Sequence, residues 1–348
     1  LHFQQSGVRT RKQHSSLFEF QSSNGHNQKA LKESSTHLIS AREILTMKFS
    51  FWPQPTQNFD TMQQLGQHIE STGWDGIWLA DHFMPNAEDT SAPWPEAWVT
   101  LSALAMNIPR IRLGTLVTGN TYRHPAVLAK MAATLDHISG GRVVLGIGSG
   151  WQENEHEKYG IPFYDVSERL KRLGEACHII QSLFTNDLTS YSGEFYQLVE
   201  APLEPKPVQS PLPLLIGGGG ERVTLKLAAQ YANEWNVWGS VETLIHKMKV
   251  LDQHCESQQR DPADIHRTAV ALLFLSEDQK FLDQMRSRTL AQPAIIGNAN
   301  EVRDIIGEYH AAGVNELIIP DFTMGTGNTT QKRDTLDSFL NHAAMGFR

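Results

Sequence analysis

From about residue 47 the chain alternates between short apolar runs and longer stretches whose apolar positions recur every three or four residues. The short runs are Lys48–Trp52, Ile77–Ala80, Ile111–Val117, Arg142–Ile147, Leu214–Ile216, Glu234–Val237, Thr268–Leu275 and Glu316–Ile319. They are near-continuously apolar rather than strictly alternating, which suits parallel strands covered on both faces. Between them the period changes to helical. In Thr61–Thr72, Met62, Leu65 and Ile69 fall on one face, Asp60 stands where a cap belongs and Gly73 where the helix should end. Further helices are predicted over Glu96–Met106, Ala126–Ile138 with Pro125 in its first turn, and Val166–Phe184 with Asp165 or Ser167 as cap. Others follow over Arg222–Tyr231, Val241–Gln259, Glu301–Ala312 and, last, Lys332–Ala344. Tyr191–Val199 and the Pro-rich Ala201–Pro213 predict an excursion, a small hairpin and an extended arm.

Eight strand–helix repeats predict an α/β protein, a (β/α)8 TIM barrel with insertions at the C-terminal face, spanning residues 47–348. A doubly wound sheet is the alternative fold. It would carry a glycine fingerprint after its first strand, where this chain has Pro53-Gln54-Pro55. Residues 1–46 differ in kind. They are rich in Gln, Ser, Asn, His and Lys, lack sustained periodicity, and predict a disordered leader or sequence upstream of a start at Met47 rather than a transit peptide.

Composition removes several function classes. A net charge of −8 argues against a nucleic-acid-coating surface. No apolar run is long enough for a membrane helix. Cys177 and Cys255, the 2 cysteines, form neither a CxxC pair nor a disulfide framework, which fits a reducing, cytoplasmic setting. The 15 histidines show no zinc spacing, and no metal is expected.

Three predicted strand ends carry chemistry. Gly76–Ala80 runs into Asp81 and His82, Val143–Ile147 into Gly148-Ser149-Gly150-Trp151, and Leu212–Ile216 into Gly217–Gly220. Parallel α/β folds place their sites at such ends, so the three predict one shared site. Four consecutive glycines before a helix offer backbone amides to a phosphate, or a tight turn that needs glycine for its angles. Gly146–Gly150 admits close approach of a flat ligand, or of a neighbouring strand. A histidine at a strand end suits proton transfer near neutral pH, though a DH pair alone is also a common exposed turn.

The ordered blocks are more specific than any one of them. They are ADHF at Ala80–Phe83, LGTLVTGNTYRHPAVLAKMAATLDHISGGR at Leu113–Arg142, VVLGIGSGWQENE at Val143–Glu155, SERL at Ser167–Leu170, LPLLIGGGG at Leu212–Gly220 and EWNVWG at Glu234–Gly239. In this order the chain resembles the bacterial luciferase-like flavin and deazaflavin oxidoreductases, with an Asp-His pair like that of the branch using the deazaflavin coenzyme F420. The resemblance implies a cofactor at the C-terminal mouth, with Asp81 on the ring and His82 beside its reactive face as the proton donor or acceptor. It implies a non-proline cis peptide at Leu116–Val117 that buckles behind the ring, with Leu116, Val117 and Thr118 among the cofactor-binding residues. Ser149, Gly150 and Trp151, next to Gly148, would touch the cofactor, and Gly217, Gly218, Gly219 and Gly220 its phosphate chain.

Trp52, Asn86 and Trp98 are expected to line the substrate pocket, with Trp94 and Trp151 adding to an apolar wall. Asn86 and Trp151 stand where the sugar-phosphate dehydrogenases of that branch carry a tryptophan and a glutamate, which speaks against sugar-phosphate oxidation. The implied activity is hydride transfer between F420 and a small organic substrate. The alternatives are a two-component monooxygenase using reduced FMN and O2, and a non-catalytic flavin-binding protein. A homodimer is expected, served by a flavin reductase or an F420-reducing enzyme, with no nucleic-acid or membrane partner.

Overall fold

The computed structural model describes residues 46–348; the leader expected over residues 1–46 lies, but for Thr46, outside the described residues. Eight parallel strands close into a barrel: β1 (Lys48–Trp52), β2 (Gly76–Asp81), β3 (Arg112–Gly119), β4 (Val143–Gly148), then β7 (Leu214–Gly217), β8 (Glu234–Trp238), β9 (His266–Val270) and β12 (Glu316–Pro320), which pairs back onto β1. The intervening β5 (Leu188–Ser192) and β6 (Gln197–Pro202) form the separate antiparallel hairpin expected of the excursion. All eight expected barrel strands are present.

Period-2 alternation divides the strand residues between two cores. On β2, Ile77 and Leu79 point outward to the helices, while Trp78 and Ala80 point inward. The inward set also includes Trp52, Leu116, Val144, Leu215, Val270 and Ile318, which fill the barrel axis. The outward set packs on the helix ring, including α1 (Phe59–Thr72), α2 (Ala97–Asn107) and α3 (Pro125–Ser139). Cap chemistry sets the boundaries. Gly73 closes α1 at φ 97°, which a residue with a Cβ reaches only at a cost. Pro125 opens α3, as expected. The cap of α1 is Asn58 rather than Asp60: Asn58 is extended and accepts from the Thr61 amide, whereas Asp60 already lies inside the helix.

Two further expectations are corrected. The apolar run 268–275 is not one strand. β9 ends at Val270, and β10 (Leu272–Leu275) turns away to pair with β11 (Ala294–Gly297) in its own two-stranded sheet. Between them lies α8 (Gln279–Arg286), after α4 (Glu153–Tyr159), α5 (Val166–Thr185), α6 (Thr224–Tyr231) and α7 (Val241–Ser257). After α9 (Ala299–Ala311), the closing helix is α10 (Thr330–Ser338), which passes into a π turn at Phe339–Ala343.

The N-terminal end of the barrel is filled by charge. Arg112 Nη2 lies 2.6 Å from Glu234 Oε2 and its Nη1 3.5 Å from Glu316 Oε2. Trp78 Nε1 donates to Glu316 at 3.0 Å, and the Arg112 guanidinium lies 5.1 Å from the Trp78 ring centre. Glu234, His266 and Glu316 bring three ligand atoms within 4.8 Å of one another, a spacing a metal could use. Arg112 already supplies the positive charge there. Burial pushes the Glu316 carboxyl up, yet Arg112, His266 and Ser50 outweigh that and hold it well below the usual range.

Candidate active site

At the opposite, C-terminal end the strand termini enclose a cavity of about 860 Å³. Each wall comes from a different strand end. Trp52 ends β1, His82 follows β2, and Leu116, Val117 and Gly119 belong to β3, with Tyr122 just beyond. Gly148–Gln152 extend β4, Gly217–Gly218 end β7, Asn236–Trp238 end β8, and Phe322 follows β12. Gln292, from the insertion between α8 and β11, closes one side. Past Val270 the run leaves the barrel: Leu272–Leu275 pair with β11, and Thr323, next to Phe322, donates to the Leu273 carbonyl.

His82 is held from behind. Its Nδ1 lies 2.8 Å from Glu155 Oε1, and the Phe83 amide donates to Glu155 Oε2 at 2.8 Å. The Tyr122 hydroxyl donates to Glu155 Oε1, the oxygen that faces His82, and lies 3.2 Å from His82 Nδ1. Glu155 is fully buried on α4. Burial pushes its pKa up, but hydrogen bonds from His82, Phe83 and Tyr122 together hold the carboxyl below the ordinary value. The Tyr122 phenol is driven up, first by burial and then by Glu155. A carboxylate only accepts, so the Nδ1 facing it must carry a proton, which leaves Nε2 as the nitrogen free for a ligand. Behind Tyr122, the His156 ring stacks at 5.1 Å and is itself fixed by Thr121 Oγ1 at 2.7 Å. Trp94 and Trp151 meet the His82 ring edge-on at 6.3 and 5.4 Å.

Among the residues expected at the site, His82, Trp52, Asn86, Leu116, Val117, Gly148, Ser149, Gly150, Trp151, Gly217 and Gly218 line the cavity. The Leu116–Val117 peptide is cis. The others lie elsewhere. Asp81 is fully buried, and Arg123 grips its carboxylate at 2.6 and 3.2 Å while also binding Glu96 at 2.5 Å. Here the carboxylate is the counter-ion of Arg123 and is not part of the cavity lining. Trp98 is core: its Nε1 donates to Thr118 Oγ1 at 3.1 Å, and Thr118 is itself buried. Gly219 and Gly220 pack against Val237 and Thr224, three residues short of α6.

Several of the glycines are also required by the close approach of neighbouring strands, the alternative their spacing allowed. A Cβ on Gly146 would sit 1.9 Å from the Thr115 carbonyl, so β3 and β4 could not approach as they do. Cβ atoms on Gly148 or Gly217 would meet Val117 at 2.9 or 2.8 Å. The space these glycines free is thus taken largely by the protein's own β3. The Gly218 amide, one of those expected to face a phosphate, donates instead to the Asn236 carbonyl at 2.9 Å.

Glu155, Tyr122, Trp238 and Phe322 are site residues that the sequence reading did not single out. Glu155 stands in the acidic first turn of α4, directly after the glycine segment, and that short helix ending at Gly160 was the available signal.

A barrel with its chemistry at one mouth has many owners; the match that decides among them is to the luciferase-like monooxygenase family model, over residues 44–285. The chain belongs to the luciferase-like monooxygenase family. An F420-dependent glucose-6-phosphate dehydrogenase of Amycolatopsis mediterranei is 31% identical over 288 residues, 78% of this luciferase-like chain and 84% of the relative. A protein of the same name from Kineococcus radiotolerans is 38% identical, over 60% of this chain and 62% of its own length. Among solved structures, an F420-dependent secondary alcohol dehydrogenase in complex with an F420-acetone adduct superposes with a TM-score of 0.75 at 19% identity, covering 87% of this chain and 99% of that one. The tetrahydromethanopterin reductase of Methanopyrus kandleri gives 0.73 at 19% identity, over 87% and 100%. At that identity the two structures confirm the barrel and nothing finer. Among the described residues, no helix of this luciferase-like chain is long and apolar enough to cross a membrane.

Proposed function

We propose that this luciferase-like barrel is an F420-dependent oxidoreductase in which His82 exchanges the proton that accompanies hydride transfer. The observation that carries the reading is His82 at the cavity wall, with its Nδ1 pinned by buried Glu155 and Tyr122. Relatives over most of the chain are named F420-dependent enzymes, which supports the cofactor. The residues present suit a flat ring: Leu116 and Val117 form a floor, and Gly148 and Gly217 beside it add no side chain of their own. Ser149, Gly150, Gly217 and Gly218 would flank the coenzyme along the rim. When bound, F420 supplies a two-electron hydride acceptor or donor.

The chain's own contribution is to proton handling and exclusion of water. Because Nδ1–H points at Glu155, neutral His82 presents a lone pair on Nε2. An alcohol hydroxyl placed there loses its proton to Nε2 as its carbonyl forms; in the reverse direction protonated Nε2 returns it. Glu155 is a positioning residue: it fixes the tautomer and the ring plane and is not itself in the cavity lining. Trp94 and Trp151 restrict the ring edge-on, and the apolar wall of Trp52, Trp238 and Phe322 limits the water beside it.

Calorimetric titration of the purified chain with F420, oxidised FMN and reduced FMN tests the cofactor. Binding of F420 at least about tenfold tighter than either FMN form, a difference of about 1.4 kcal/mol, is the expected result. Preference for reduced FMN together with oxygen consumption would replace the reading by a monooxygenase.

A further inference from the structure

The cavity has a chemical bias that the proposed activity does not require. Among the described residues, no Lys, Arg, Asp or Glu lines it. Its walls are instead Trp52, Trp94, Trp151, Trp238 and Phe322, with Trp52 packed 5.1 Å from Phe322 and 5.8 Å from Trp238. The polar side chains of the lining are all uncharged amides and hydroxyls besides His82: Gln54, Thr56, Asn86, Tyr122, Ser149 and Gln292, with Gln152 and Asn236 already bonded to the Met84 carbonyl and to Thr268.

Three cations in the adjoining loops are committed to carboxylates, and the exposed Arg222 and Arg288 are not part of the cavity lining. Arg123, next to Tyr122, is held by Asp81 and Glu96. Lys332 is fully buried 2.5 Å from Asp321, the neighbour of Phe322. Lys247 lies 2.5 Å from Glu221, which follows the glycine segment. A substrate phosphate set on the aromatic side of this cavity, among Trp52, Trp238 and Phe322 and away from the glycine rim left to the coenzyme, would give up hydration and meet no charged side chain in the lining. A polyhydroxylated sugar would likewise leave hydroxyls unpaired against indole faces. Glucose 6-phosphate, the substrate in the relatives' names, therefore fits this cavity badly.

We infer that the substrate side of this site takes an uncharged, largely apolar molecule of aromatic or alicyclic type, carrying one alcohol or carbonyl group for His82. The inference rests on the proposed oxidoreductase reading and names its substrate class. Indole and phenyl rings give such a ligand broad apolar contact and edge-to-face packing. One oxygen is matched by one nitrogen, His82 Nε2, with the amides available for a second hydrogen bond. In the oxidising direction the alcohol carbon gives up its hydrogen as hydride to oxidised F420. The hydroxyl proton goes to Nε2 and the ketone leaves, so both hydrogens are accounted for, one as hydride with two electrons and one as a proton.

The test uses the full chain and two readouts. With F420 loaded, turnover of 1-phenylethanol and of glucose 6-phosphate is followed by coenzyme absorbance. Without coenzyme, acetophenone and glucose 6-phosphate are titrated against tryptophan fluorescence. The expected result is a kcat/KM for 1-phenylethanol at least about 100-fold above that for glucose 6-phosphate, with saturable quenching by acetophenone alone. Phe322→Lys should raise the KM for 1-phenylethanol at least about tenfold while F420 affinity stays within about twofold. Equal or faster turnover of glucose 6-phosphate, or a KM indifferent to Phe322→Lys, would overturn the substrate class and leave the cofactor reading standing. Absence of F420 binding alongside saturable quenching by acetophenone would sink the cofactor reading and support the neutral cavity; quenching by glucose 6-phosphate alone would overturn it.

Discussion

The two ends of this barrel are built from the same eight strands and handle charge in opposite ways. At the N-terminal end Arg112 pairs with both Glu234 and Glu316, and His266 lies 3.5 Å from Glu316, so the end is filled. At the C-terminal end the corresponding charges are withdrawn behind the wall. Asp81 pairs with Arg123, Asp321 with Lys332, and Glu155 with His82, and the space in front is left neutral and aromatic. Charge in the axis closes a barrel; charge behind the axis orients what faces it while leaving room for a ligand. The strand starts therefore bear on stability and the strand ends on chemistry, the division expected of this architecture.

The largest effect that would test this division is on the plug. Arg112→Met keeps bulk but leaves Glu234 and Glu316 buried without their cation. Removing one partner of a buried ion cluster costs about 3–5 kcal/mol, and that loss should appear as a lowered midpoint in urea unfolding. F420 affinity of the fraction still folded should stay at the wild-type value, because Arg112 touches nothing at the mouth. A small change in unfolding midpoint combined with lost F420 affinity would reverse the assignment of the two ends.

The converse substitution is at the mouth. His82→Ala should lower turnover by about 10²–10⁴, the usual worth of a general acid–base group. Its unfolding midpoint should change far less than that of Arg112→Met. It removes one hydrogen bond to Glu155, which keeps the Phe83 amide and Tyr122 as donors. Unchanged turnover with F420 bound would take His82 out of the mechanism.

Much of this was readable in one dimension. The eight strands, Gly73 and Pro125 follow from local periodicity and backbone preference, which act over a few residues. His82 and the three strand ends follow from the rule that such ends converge. What escaped the sequence depends on pairing across distance. Glu155 meets His82 across 73 positions, and Arg123 meets Asp81 across 42. Without Arg123, Asp81 reads as a ligand contact; with it, the carboxylate is satisfied. The run 268–275 is uniformly apolar, so no local signal marks where β9 hands over to β10. The glycines told of close approach but not of what approaches, and at Gly148 and Gly217 it is Val117.

The smallest of the three effects is the most discriminating, because Glu155 belongs to the mouth and yet is as buried as Glu316 in the plug. Glu155→Gln keeps the shape and can still accept from His82, but it loses the charge. A hydrogen bond to a charged group contributes about 1.5–3 kcal/mol, so turnover should fall about ten- to a hundredfold, less than for His82→Ala. Acid stability separates the two carboxylates further. Both are held below their ordinary value of 4.5 in the folded chain, so below that pH the unfolded chain binds protons that the folded chain refuses. The stability each contributes is complete above 4.5 and is lost as pH falls through the folded value. Glu316→Gln and Glu155→Gln should each flatten the fall of the unfolding midpoint below pH 4.5, but only Glu155→Gln should also change turnover at neutral pH. If Glu316→Gln impaired turnover by as much, the plug would be coupled to the chemistry, and filling one end of the barrel would no longer be separable from presenting the other.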